Sequence, residues 1–193
     1  MKTTLILILM TFLMCSTSET QKIDFPKAKV SYTDFEDLVK VVKSHRDKRP
    51  ISFDEFTEKS KNPNVIILDT RSKDMYDKKH IKDAVHLNFS DFTQSNLAKT
   101  IPNTDTTILI YCNNNFNDDP IHFMSKTLLV LPSEEEKERT LSLALNIPTY
   151  INLYGYGYKN VYELDELISY FDQRITYEGS SINQEITTIE NNK

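Results

Sequence analysis

Cys112 is the residue of this chain best placed to do chemistry. It follows the run that reads as the most apolar strand of the chain, Thr107-Ile108-Leu109-Ile110-Tyr111, and precedes an almost wholly polar loop, Asn113 to Asp119. A thiol between a strand's end and a following turn meets backbone N–H groups and, where a helix starts, the positive end of its dipole. Both favour the thiolate, lower the thiol pKa and make the sulfur nucleophilic near neutral pH. The same placement suits a cysteine packed as a small apolar residue. Asp69 and Arg71, after a second apolar run, read as an ion pair fixing a strand-to-helix turn. His80 and His86 flank a short strand and lack cysteines or carboxylates at metal-ligand spacing, so they read as structural and no metal site is expected. His122 is the histidine nearest Cys112 in sequence, placed to orient a substrate or tune the thiol. Asp118 and Asp119 close the loop with negative charge, and no lysine or arginine lies between Cys112 and Lys126. Such carboxylates are expected to raise the thiol pKa and repel dianions.

These residues need a scaffold, and the hydrophobic pattern supplies one. Val65-Ile66-Ile67-Leu68 and Thr107 to Tyr111 are short apolar runs without alternation, as strands buried on both faces require. Ala84 to Leu87 and Val161 to Leu164 read as further strands. Between them, Thr33 to Glu36 and Ser52 to Glu55 have the form of capping boxes opening helices. Ser72 is expected to cap a short helix, Ser90 to open one reaching Thr100, and Pro120 to open one over 121–131. Pro132 is expected to restart a helix to about Leu145, Tyr150 to Leu153 to be extended, and Asp165 to cap a last helix through Phe171. Strand and helix in alternation predict an α/β domain with a mainly parallel sheet flanked by helices, with its site off the strands' carboxyl ends.

The chain has 193 residues, 39% hydrophobic and 26% charged, a soluble globular balance with room for one domain and extensions. A net charge of −5, with the bases dispersed among acids, argues against nucleic acid as a partner. Met1-Lys2, an apolar run from Leu5 to Met14 and small residues up to Ser18 form the layout of a secretory signal peptide over 1–18. Two readings stay open: cleavage after Ser18, or a lipoprotein signal with Cys15 acylated. The first gives a periplasmic or secreted protein. The second gives a membrane-anchored one, the only membrane association expected. Either leaves Cys112 as the one free thiol and no intramolecular disulfide.

Leu68-Asp69-Thr70-Arg71, Tyr76 and His80-Ile81-Lys82-Asp83-Ala84-Val85 resemble the first signature of the rhodanese family. Ile108 to Cys112 is similar to its active-site strand and cysteine, and Gly157-Tyr158-Lys159-Asn160-Val161-Tyr162-Glu163-Leu164 to its final strand. The match covers about residues 50–172, leaving 19–49 as an N-terminal extension with one helix and 173–193 as a weakly ordered tail. A stretch around 131–156 exceeds a minimal domain and reads as an insertion. The resemblance implies a sulfurtransferase or sulfur carrier without a cofactor, in which Cys112 takes a sulfane sulfur as a persulfide. It implies a cradle of backbone amides from Asn113, Asn114, Asn115, Phe116 and Asn117, and a sulfur donor or thiol acceptor, small or protein, as partner. Asparagine's tolerance of left-handed backbone makes such a loop feasible without glycine. The loop lacks the cation that thiosulfate-using members carry, so thiosulfate is not the expected donor. A second class of reading is a catalytically inactive rhodanese-fold protein-binding module. Oligomeric state is left open.

Overall fold

A computed structural model describes residues 26–130 and 139–182. The chain divides into residues 1–31 and residues 32–193. In the first unit, residues 26–31 have irregular, exposed backbone. The export segment 1–18 with Cys15, the helix start at Pro132 and the tail beyond 182 lie outside the described residues.

The second unit runs α1 (Tyr32–Arg46), β1 (Pro50–Ile51), α2 (Phe53–Ser60), β2 (Val65–Asp69), α3 (Lys73–Lys78), β3 (His80–Ile81), β4 (Val85–His86), α4 (Gln94–Thr100) and β5 (Thr107–Tyr111). It continues through β6 (Phe116–Asn117), β7 (Thr127–Val130), β8 (Arg139–Ser142), α5 (Asn146–Gly155), β9 (Val161–Leu164), β10 (Ile168–Ser169) and β11 (Tyr177–Glu178). The main sheet has the order β1-β9-β5-β2-β4, and every pairing in it is parallel. β5 is central, flanked by β9 and β2.

Alternation along β5 explains why that run is apolar throughout. Leu109 and Tyr111 enter one core with Phe53 and Phe56 of α2, while Ile108 and Ile110 enter a second with Val42 of α1, Leu97 of α4 and Tyr150 of α5. Cys112 continues extended (φ −145°, ψ −177°), which places it on the side of Ile108 and Ile110, facing α5.

Ser52 and Ser72 cap α2 and α3 as read from sequence, accepting from the amides of Glu55 (3.2 Å) and Met75 (3.4 Å). Several other expectations are corrected. α1 starts at Tyr32, so Thr33 sits inside its first turn. Ser90 lies in a 3-10 turn, and Thr93 caps α4 instead, accepting from the Asn96 amide. Pro120 opens one turn, closed by the Phe123 amide on the Asp119 carbonyl, not a helix. The chain then enters β7, which pairs antiparallel with β8. β-Branched Thr127 suits that strand better than a helix. β8 also replaces the helix expected through 139–142.

Tyr150 to Leu153 is helical, inside α5. Pro148 in the first turn and the α5 C-terminus mark this helix from both ends. Gly157 (φ 99°) donates to the Tyr154 carbonyl and Tyr158 to that of Leu153, the paired bonds of a Schellman closure. That left-handed position requires glycine, so Gly157 aims the chain from α5 into β9. Ile168-Ser169 is a strand parallel to β6, not a helix capped by Asp165. Tyr177-Glu178 pairs antiparallel with β3, so the expected weak order does not describe 173–182.

Candidate active site

Cys112 is 3% exposed. The residues after it form one 3-10 turn, Asn113–Asn115. The amides of Asn114 and Asn115 hydrogen-bond to its sulfur, that of Asn115 shared with the Cys112 carbonyl (3.1 Å), as does the amide of Asn146 at the first turn of α5. Two chain segments therefore aim N–H groups at one sulfur.

The five expected cradle residues separate into distinct roles. Asn114 and Asn115 supply amides to the sulfur. The Phe116 amide instead closes the turn on the Asn113 carbonyl, and its ring packs in the core 4.4 Å from that of Phe123. Asn117 is exposed in β6, away from the sulfur. The Asn113 side chain lines the cavity beside Cys112, and its Oδ1 is buried without a hydrogen-bond partner. The left-handed residue of the loop is Asp118 (φ 68°), not an asparagine.

Asn115 holds the turn. Its Oδ1 accepts from the Cys112 amide (2.9 Å), and its Nδ2 donates to the carbonyls of Leu164 (2.8 Å) and Glu166 (3.1 Å). The loop is thereby tied to the carboxyl end of β9. Asn114 reaches the other way, accepting from the Lys126 amide and donating to Thr127 Oγ1 at the start of β7.

A cavity of about 420 Å³ opens at Cys112, lined by Arg71, Ser72, Met75, Asn113, Met124, Lys126, Leu143, Ala144 and Leu145. Its wall is largely aliphatic. Lys126 is its exposed cation, whereas the Arg71 guanidinium is committed to the Asp69 carboxylate (2.7 Å) and the carbonyls of Lys79 and His122. Tyr111 adds a hydroxyl donated to Asp69 Oδ2 (2.5 Å), completing a buried pair with its hydrogen bonds satisfied. Arg71 thus joins β2, the segment before β3 and the loop after Cys112. His80 stacks on Tyr76 and hydrogen-bonds its carbonyl, and His86 bonds the Arg71 carbonyl.

The acidic pair does not face the sulfur's cavity. Asp118 accepts from Ser169 Oγ (2.7 Å). Asp119 is buried and pairs with Lys79 (3.0 Å) and with His122 Nδ1 (2.9 Å), and the other ring nitrogen of His122 meets Ser181 Oγ (3.1 Å). Burial opposes charge on Asp119, but the hydrogen bonds from Lys79 and His122 outweigh it and hold its pKa below the usual carboxylate value. Both acids line a separate depression with Phe116, Pro120 and Leu167. His122 consequently ties the loop to the C-terminal segment and does not reach the thiol's cavity. Among the described residues, no group of three metal-ligating side chains gathers.

The expected lowering of the Cys112 pKa is also corrected. Burial pushes it from 9.0 up to about 11, against the three amides, and Glu163 adds to the rise. Glu163 is buried in β9, bonded to Arg46 and to Asn146 Nδ2. Sequence reasoning missed Asn146, Glu163, Met124 and Lys126 as neighbours of the sulfur. The Asn-Ile-Pro start of α5 was the available signal for the first.

A cysteine at the carboxyl end of the central strand, in a parallel β1-β9-β5-β2-β4 sheet, now meets a matching sequence profile. The profile of the rhodanese-like domain covers residues 52–172. The chain belongs to the rhodanese-like domain family. Among solved structures, this rhodanese-like chain is similar to the Alr3790 protein of Anabaena sp., at 17% identity and a TM-score of 0.43, over 74% of this chain and 94% of that one. It is likewise similar to the BH2092 protein of Bacillus halodurans, at 14% identity and a TM-score of 0.44, over 77% and 88%. No curated protein matches it.

Proposed function

We propose that this rhodanese-like domain is a sulfurtransferase or sulfur carrier that holds a persulfide on Cys112. The observation that carries the reading is the convergence of the Asn114, Asn115 and Asn146 amides on one sulfur. A cysteine serving only as packing has no need of three donors, whereas a sulfur anion does. In the transfer, the Cys112 sulfur attacks the outer sulfur of a donor R–S–SH. The donor's S–S bond breaks as the new one forms, and the thiol proton passes to the departing R–S⁻. The products are Cys112–S–SH and R–SH, and no cofactor takes part.

The donor class follows from the cavity wall. Met75, Met124, Leu143, Ala144 and Leu145 disfavour a fully solvated dianion, which would have only the exposed Lys126 to pair with because Arg71 is committed to Asp69, and Asn113 Oδ1 offers a buried acceptor to a ligand with an N–H. Thiosulfate has no such donor, whereas a peptide or amino-thiol persulfide has. The reason for disfavouring thiosulfate is therefore the cavity wall, not Asp118 and Asp119. The fitting experiment compares sulfide release to a thiol acceptor with cysteine persulfide and with thiosulfate as donors. Faster turnover from the persulfide supports the reading, while efficient thiosulfate turnover overturns the donor class.

The second reading, an inactive binding module, is favoured by one observation: the buried thiol, with its pKa near 11, is almost wholly protonated at neutral pH. Retention of a partner protein by Cys112→Ser, with no sulfur taken up by the parent protein, decides for it.

A further inference from the structure

Away from Cys112, the end of α1, the face of α5 and the outer side of β9 enclose a cleft of about 550 Å³. Ser44, His45, Lys48, Arg49, Tyr154 and Tyr162 line it. That volume suits a small molecule. Its character is cationic in a chain whose net charge is −5.

Arg49 is the centre of the case. Its guanidinium lies 4.8 Å from the centroid of the Tyr162 ring, and its Nη1 is buried with no hydrogen-bond partner. A buried N–H of a cation left without an acceptor is costly, and native structures seldom retain one without a reason. Neither Lys48 nor Arg49 forms an ion pair with an acidic side chain among the described residues. Basic residues in the last turn of a helix complement its dipole, which accounts for Lys43 and Arg46. Lys48 and Arg49 lie beyond that turn.

Two further cations stack on the tyrosines of the cleft. Lys159 sits over the Tyr154 ring and donates to the Tyr154 carbonyl (2.8 Å), and Lys59 sits 4.5 Å from the centroid of Tyr162. Glu55 offsets Lys59. His45, bonded to the Tyr150 hydroxyl at 2.8 Å, has its pKa lowered by burial and then by repulsion from Arg49 and Lys159. The cleft is therefore positive where a titratable side chain senses it.

We propose that this cleft is an oxyanion-binding site for a phosphate group, with the Arg49 Nη1 as its buried donor and Lys48 as its exposed one. A planar guanidinium beside an ammonium matches the several acceptor oxygens of phosphate. The free anion and a small phosphate ester share that chemistry. The site is independent of the Cys112 reading and stands or falls separately.

The test is a titration of the purified chain with inorganic phosphate and, in parallel, with phenyl phosphate, followed by amide chemical shifts. Saturable shifts confined to residues 44–49, 154 and 162 are expected, with a dissociation constant on the order of millimolar or tighter. Tighter binding of phenyl phosphate assigns the site to an ester, and equal binding assigns it to the free anion. Arg49→Gln and the exposed substitution Lys48→Gln should each weaken binding about tenfold, with the fold intact by circular dichroism. Linear shifts spread over surface lysines, or binding indifferent to both substitutions, overturn the proposal.

Discussion

The backbone amide of Asn146, at the first turn of α5, hydrogen-bonds to the sulfur of Cys112, which ends the central strand β5. The contact joins the loop's own amides to a helix terminus that lies beyond the β7–β8 hairpin. Three donors point at the sulfur, and burial still decides the protonation of the free thiol.

That balance predicts how the thiol titrates. Alkylation of Cys112 by iodoacetamide should be slow at pH 7 and should climb with pH toward a midpoint near 11. The sign for stability follows from the same shift. The neutral buried thiol contributes fully below about pH 9, where the unfolded thiol is also protonated, and its contribution is lost as pH rises toward 11. Cys112→Ala should flatten the alkaline limb of a stability profile measured by denaturant titration. A midpoint at the ordinary thiol value would remove burial as the governing effect.

Asn115 is the residue whose loss should loosen the site most. Asn115→Ala strands the Cys112 amide and the Leu164 carbonyl, so destabilisation of about 2–4 kcal/mol is expected in urea unfolding. Hydrogen exchange at residues 112–116 should rise in the same variant. Unchanged exchange there would mean that the turn stands without its side-chain tie.

Much of this was legible in the sequence, for physical reasons. Val65 to Leu68 and Thr107 to Tyr111 are apolar on both faces because each lies inside a parallel sheet, and that pattern has few other solutions. Asp69 and Arg71 were legible as a pair because their contact is local. The cavity wall was not. Met124, Leu143 and Asn146 reach Cys112 through tertiary packing, which no local spacing records. The acids at 118 and 119 misled because sequence proximity to a cysteine says nothing of direction. Lys79, distant in sequence, takes Asp119 away from the thiol. The last strands, β10 and β11, are two residues each and owe their form to partners, not propensity.

The Asp69–Arg71 pair should behave as a buried charge pair does. Arg71→Met leaves Asp69 without its cation and should cost about 3–5 kcal/mol, lowering the melting temperature sharply. Asp69→Asn combined with Arg71→Met should cost less than Arg71→Met alone, because no lone charge is left in the core. A double variant worse than the single one would mean that the hydrogen bonds Asp69 accepts from the Arg71 amide and the Tyr111 hydroxyl matter more than the charge.

Export is proposed from residues 1–18 and is checked at the N-terminus. Mass spectrometry of the mature protein from its native host should find Glu19 first, or a diacylated Cys15. An intact Met1 terminus in the cytoplasm would end both versions.

The central claim is that Cys112 carries sulfur, and intact-protein mass tests it most directly. Reduced protein treated with a small persulfide donor and desalted should gain the mass of one sulfur atom. Dithiothreitol should remove the gain with release of sulfide, and Cys112→Ser should show none. A parent protein that gains no sulfur from any persulfide donor, at neutral pH or at pH 10 where more thiolate is present, would contradict the account.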